Sequence, residues 1–177
     1  LGIILGLMMC SDLGGPINKA AYLFATTNLA VTNAGSLKVM AAVMAAGMVP
    51  SLAMALSTAV RPKLYQPAER ENGTAAWLLG ASFISEGAIP FAAADPLRVI
   101  PSMMVGGAVT GALSMALGAA SKAPHGGIFV FFAIDLFWAF ILAVIVGTVV
   151  SALLVTILKA SAQHKTTQRK DKTAAAA

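Results

Sequence analysis

Residues 83–101 read F-I-S-E-G-A-I-P-F-A-A-A-D-P-L-R-V-I-P, and they restrict the fold more than any other stretch of the chain. Glu86, Asp95 and Arg98 sit inside an otherwise apolar run, and Gly87, Pro90 and Pro96 interrupt it. Proline removes a backbone donor and collides with the preceding turn, so no straight helix is expected through the whole segment. The surroundings make this costly: the chain is 58% hydrophobic and 11% charged, with mean hydropathy +0.83. Soluble domains carry roughly 25% charged residues. The sequence is that of an integral membrane protein. In lipid, charge and irregular backbone survive only where they face protein or a watery cavity. A broken helix or hairpin carrying charge at that depth is the signature of a transport site.

The apolar runs set the expected fold class: an all-α integral membrane protein, a polytopic helical bundle with re-entrant hairpins and broken helices. Segments 38–60, 99–120 and 136–158 are each long enough to cross a bilayer, which takes about 20 apolar residues. Pro50 is expected to kink the first of them. Residues 1–10 read as the end of a membrane helix, 11–19 (SDLGGPINK) as a Gly/Pro-rich break, and 20–31 as too short to span. Residues 61–74 (RPKLYQPAERENGT) read as the main hydrophilic loop. Residues 75–94, broken at Ser85, Glu86, Gly87 and Pro90, read as a re-entrant hairpin. Two arrangements satisfy the charge distribution. Either 75–96 is re-entrant, or it spans and 123–135 is re-entrant instead.

Two domains are expected: a membrane domain over 1–158 and a basic tail over 159–177. The chain opens on Leu1 inside an apolar run, which reads as the C-terminal part of a longer protein. Lys159, Lys165, Arg169, Lys170 and Lys172 follow the cleanest span. By the positive-inside rule this tail is cytoplasmic, and it reads as disordered rather than as a nucleic-acid arm. The loop 61–74, with Arg61, Lys63 and Arg70, falls on the same side.

Glu86 is the leading candidate for a site residue. A carboxylate at membrane depth needs a partner or water, and sugar hydroxyls suit a carboxylate acceptor. The plainer alternative is a structural ion pair with Arg98 or Lys19. Asp95 and Arg98 flank Pro96, which fits a helix start with Asp95 at the N-cap and an i,i+3 pair; a phosphoryl group is an alternative partner for Arg98. Asp12, Asn18 and Lys19 form a second polar constellation, either lining the site or lying at the headgroups. His125, in P-H-G-G, offers a donor or a proton carrier, or is a surface turn residue. His164 reads as a solvated tail residue. Cys10, the single cysteine, excludes an internal disulfide and any CxxC motif, and His125 and His164 are too few for a histidine-rich metal site; no metal and no cofactor is expected. A GxxxxGK[ST] phosphate loop, GxSxG and HExxH are all missing, so the energy source lies elsewhere.

The runs D-L-G-G-P-I-N-K-A-A-Y (12–22), W-L-L-G (77–80), S-E-G-A-I-P-F-A-A-A-D-P-L-R-V-I-P-S (85–102) and A-P-H-G-G-I-F (123–129) resemble the fructose-type enzyme IIC permease of the bacterial phosphoenolpyruvate-dependent phosphotransferase system. The resemblance covers most of 11–158. It implies a sugar permease of the bacterial inner membrane that works as a homodimer. Its sugar is phosphorylated by a cytoplasmic IIB domain, fed through enzyme I, the carrier HPr and a IIA domain. It also implies that Glu86 contacts the sugar; Asn18, Lys19, His125, Asp95 and Arg98 remain binding candidates on the chemistry of the residues alone. Ser85 stands where the family motif has threonine. Cys10 is followed by Ser11 and Asp12, unlike a IIB phosphocysteine, so the phosphoryl-carrying residues belong to partner domains. Fructose, mannitol and mannosyl-glycerate permeases share much of the pattern. The rival readings are a secondary transporter driven by an ion gradient, with Glu86 or Asp95 as coupling acid, and a truncated fragment that does not transport.

Overall fold

The computed structural model describes residues 1–29 and 33–174, with side chains to residue 163. Among the described residues there are seven α-helices: α1 (Gly2–Ser11), α2 (Pro16–Leu29), α3 (Ala34–Val60), α4 (Pro67–Ala81), α5 (Ile89–Ala94), α6 (Pro96–Leu117) and α7 (Phe137–Ala174). Two-residue strands β1 (Ala120–Ser121) and β2 (Ile134–Asp135) pair antiparallel beyond the end of α6. Among the described residues, three helical stretches are long and apolar enough to cross a membrane: Ala34–Val60, Pro96–Leu117 and Phe137–Gln163. They fall on the three runs picked out by hydropathy.

α3 is the axis of the bundle. Asn33 starts it, its Oδ1 accepting from the Ser36 N–H at 2.8 Å. The helix passes through Pro50 and is buried along most of its length, with Met40, Met44, Met48 and Met54 fully enclosed. Close packing around it is made with small residues. α1 and α6 touch backbone to backbone at Gly2 against Gly111 and Gly6 against Gly107, so a side chain at any of the four would collide. α7 buries Ala139, Ala143, Ala152 and Val155 and turns Trp138, Leu142, Ile145, Val149, Leu153 and Ile157 outward. An apolar stripe facing out at helical spacing is what a lipid-facing helix requires.

Two stretches differ from the sequence reading. The segment 61–74 is not mainly loop: a short 3-10 turn (Pro62–Leu64) leads into α4 at Pro67, where the Glu69 carboxylate accepts from the Gln66 N–H at 2.8 Å. Polar composition masked a helix start that carries proline at its first position and an acid at its third. Beyond Lys159 the chain stays helical to Ala174 instead of becoming an irregular tail. It contains no Gly or Pro, and Ala, Lys, Gln and Arg are all good helix formers. Residues 175–177 lie outside the described residues.

The segment after α4 is broken as expected. α4 ends at Ala81, and a 3-10 turn (Ser85–Ala88) then leads into the short α5. Ser85, Gly87 and Ala88 are buried, and the Ile84 carbonyl is satisfied by the Ser51 hydroxyl of α3 at 2.5 Å. The excursion starts and finishes at one place. Glu69, near the start of α4, and Asp95, after α5, lie 3.7 and 3.9 Å from the same Lys159 Nζ on α7. A chain that leaves and returns to one ammonium forms a hairpin, so α4 and α5 do not form a span between them.

Candidate functional site

Four chain segments meet at the tip of this hairpin and enclose a cavity of about 540 Å³. It is lined by Met9, Gly14, Asn18, Lys19, Tyr22, Phe83, Ile84, Ser85, Glu86 and His125. Its size falls in the range of about 300–1,000 Å³ typical of small-molecule sites. Glu86, Asn18, Lys19 and His125, picked from separate stretches of sequence, are thus brought together.

Asp12 organises the first wall. Its carboxylate accepts from the N–H groups of Ile17 at 2.7 Å and Asn18 at 3.0 Å, closing the N-terminus of α2. Asp12 therefore shapes the site without lining it. Asn18 is 7% exposed, and its Nδ2 donates to the Met9 carbonyl at 2.6 Å and to Ser85 Oγ at 3.4 Å. A carbonyl partner fixes which end of the amide is nitrogen. Both amide protons are spent on protein, and Oδ1 is left as an acceptor. Lys19 and Tyr22 follow on the same helix at one and four residues' distance.

Glu86 comes from the 3-10 turn. Its carboxylate lies against Gly14, where a Cβ would stand 2.5 Å from Oε1. Gly14 has φ +101°, a conformation open to glycine and strained for other residues. Among the described residues neither Glu86 nor Lys19 forms an ion pair. The alternative of a structural pair between Glu86 and Arg98 or Lys19 is not what the geometry holds. The cavity therefore offers acceptors at Glu86 and Asn18 and a donor at Lys19.

Asp95 and Arg98 are elsewhere. Arg98 Nη1 donates to both Asp95 carboxylate oxygens at 2.9 Å, the i,i+3 pair across Pro96. Asp95 takes the N-cap position of α6, but its side chain serves Arg98 and Lys159 and makes no cap bond. Both residues belong to the polar knot at the base of the hairpin, as the capped-helix alternative has it, and neither lines this cavity. Lys159, 9% exposed, also lies over the Tyr65 ring at 4.6 Å from its centroid. Tyr65 Oη and Ser57 Oγ are 2.5 Å apart, and Ser57 Oγ is 2.7 Å from Thr156 Oγ1. Burial pushes the Tyr65 phenol up to about 12 despite that bond to Ser57, which keeps it neutral.

Sequence reasoning missed the aromatic part of the cavity, Tyr22 and Phe83, and the inward turn of Lys159. Both had a signal. Tyr22 stands one helical turn after Asn18, and Lys159 stands one turn after the apolar Val155. Cys10 is buried and its Sγ donates to the Ala46 carbonyl at 3.3 Å, as an inert core thiol does.

No family model matches the chain, and no solved structure matches it. Curated relatives do. The chain is 55% identical over 168 residues to the PTS system fructose-specific EIIB'BC component of Vibrio cholerae serotype O1, covering 93% of this chain and 28% of that protein. It is 51% identical over 159 residues to the PTS system fructose-specific EIIC component of Haloferax volcanii, covering 90% and 42%. It is 44% identical over 165 residues to the fructose permease IIC component of Bacillus amyloliquefaciens, covering 93% and 53%. The chain thus spans about half or less of the length of these relatives, and it is a homologue of the C-terminal part of fructose-specific phosphotransferase permease components.

Proposed function

We propose that the chain supplies the sugar-holding part of a fructose-type IIC permease. The observation that carries this reading is the cavity at the hairpin tip, lined by the Glu86 carboxylate, the Asn18 amide and Lys19, of which neither charged group is ion-paired among the described residues. Sugar hydroxyls both donate and accept, and they match such a mixed set. Glu86 and Asn18 Oδ1 accept from two hydroxyls, and Lys19 donates to a ring or hydroxyl oxygen. His125 closes the rim.

In the intact protein the bound sugar hydroxyl attacks a phosphoryl group presented by a IIB domain. Displacement is in line, and the membrane part contributes positioning. Glu86 orients the hydroxyl and accepts its proton as the new phosphate ester forms. Relatives whose names join B and C, or A, B and C, components support partner domains of these kinds. Upstream donors HPr and enzyme I, a homodimeric permease, a bacterial inner-membrane location and a cytoplasmic C-terminus complete the proposal. So does a fructose-like substrate. The phosphoryl-carrying residues lie on the partners.

The test is Glu86→Gln in the full-length permease, which keeps shape and removes charge. Folded, membrane-inserted variant should bind fructose more than about tenfold more weakly, the scale of a lost charged hydrogen bond. Phosphoenolpyruvate-dependent phosphorylation should fall with it. Wild-type values for both would remove Glu86 from the site.

A further inference from the structure

Phe83 occupies a position that a filler residue would not take. Its φ is +66°, in the left-handed region that bulky residues rarely enter and that costs free energy when they do. It follows the end of α4, where its N–H donates to the Gly80 carbonyl at 3.1 Å. The strained backbone sends the ring onto α3. There Gly47 leaves the space that the ring needs: a Cβ at that point would collide with Phe83 Cε2 and would lie 2.8 Å from the Met9 Cε. The ring is 6% exposed and forms a wall of the cavity.

The visible consequence falls on His125. The Phe83 and His125 rings are 5.0 Å apart at centroid and tilted by 48°. Tyr22 meets His125 edge-on at 6.4 Å and Phe83 at 6.0 Å, so three rings pack together. The loop that carries His125 is docked on the same segment. Gly127 has φ +58°, and a Cβ there would strike the Ala81 carbonyl and lie 2.9 Å from the Phe83 N. Among the described residues His125 makes no side-chain hydrogen bond and no ion pair. Its imidazole is aimed by ring packing alone, which leaves both nitrogens for a ligand.

We infer that Phe83 is a positioning residue: its ring, seated on Gly47, fixes the imidazole of His125 at the rim of the cavity with both nitrogens available to sugar hydroxyls. The geometric half stands on the packing described here; the functional half rests on the sugar-site reading above.

The experiment uses full-length permease in nanodiscs, comparing wild type with Phe83→Leu, His125→Ala and the double variant. Leucine keeps apolar bulk and loses the ring. The first readout needs no sugar. The ring-proton resonance of His125, assigned by its loss in His125→Ala, should shift and broaden in Phe83→Leu, because the neighbouring ring current and the packing are gone. An unchanged, sharp resonance overturns the positioning role. The second readout is fructose affinity. Phe83→Leu should weaken it about fivefold, the ratio that one aromatic pair of ordinary strength corresponds to. The double variant should be no weaker than His125→Ala alone within about twofold, since a residue acting through another has nothing left to act on. Fully additive losses overturn the proposal and make Phe83 a separate wall of the site. Wild-type affinity in His125→Ala would count against the sugar-site reading, while the resonance still decides whether Phe83 positions the imidazole.

Discussion

Glu69 and Asp95 stand at opposite ends of the broken-helix excursion and converge on one cation, 3.7 and 3.9 Å from Lys159 Nζ. α7 thereby holds both feet of the hairpin that carries Glu86 at its tip. The site is positioned from its far end. α4 connects that base to the tip, and Ser51 on α3 holds the unwound backbone near the tip at the Ile84 carbonyl.

Lys159→Met should loosen this base. The substitution keeps most of the apolar stem and leaves Glu69 and Asp95 side by side without their shared cation. Breaking a buried pair in this way costs about 3 kcal/mol. A marked fall in the unfolding temperature of purified protein is expected, partly restored by adding Glu69→Gln. If Lys159→Met melts with the wild type, the knot does not hold the hairpin.

Asn18→Ala and Asn18→Asp separate scaffold from site. Both lose the 2.6 Å bond to the Met9 carbonyl. The aspartate also sets a buried charge against that carbonyl oxygen, which costs more than leaving it unpaired. Fructose affinity should fall in both, and thermal stability should fall further in Asn18→Asp. The order of the two melting temperatures is the measurement. Reversal would mean that Asn18 is not held through its amide nitrogen.

Much of this architecture is legible in the sequence, for reasons that differ by element. α3, α6 and α7 follow from apolar length alone. The break at Ser85–Ala88 follows from Gly87 and Pro90 in an apolar run that also bears Glu86. The Asp95–Arg98 pair follows from its spacing, but spacing says nothing about which cavity a pair faces. Arg98 is satisfied by Asp95, and Asp95 is shared between Arg98 and Lys159. Lys159 was obscured because a cluster of basic residues reads as a topology signal. Only the continued helix places it in line with Val155 on the buried face of α7. That Asn18, Lys19, Glu86 and His125 meet is a tertiary fact, reachable from sequence only through the resemblance of the motifs.

Gly14→Ala should mimic the loss of Glu86 without touching its charge. At φ +101° alanine is strained, and its methyl group would press on the carboxylate. The carboxylate must then leave its present place. Fructose affinity should drop about tenfold, matching a lost charged hydrogen bond. Combined with Glu86→Gln, the loss should not grow, because both changes remove the same contact. Additive losses would show that Gly14 matters for another reason.

The ends of α6 offer a test of sidedness. Its first turn holds Arg98, beside Asp95 and the Lys159 knot, and Lys63 lies in the turn that leads from α3 towards Glu69. Its last turn runs into β1 and the exposed Lys122, which pairs with Asp135 at 3.2 Å. An apolar helix of 22 residues is long enough to cross the hydrocarbon core, so Lys63 and Lys122 belong on opposite faces. Arg61, Lys63 and Arg70 cluster on the Lys63 face, which the positive-inside rule assigns to the cytoplasm. In otherwise cysteine-free full-length protein, Lys122→Cys should react with a membrane-impermeant maleimide added to intact cells. Lys63→Cys should react only after the cells are opened. Labelling of both from outside would break the span assigned to α6. Labelling of Lys63→Cys alone would invert the orientation and move the C-terminus out of the cytoplasm.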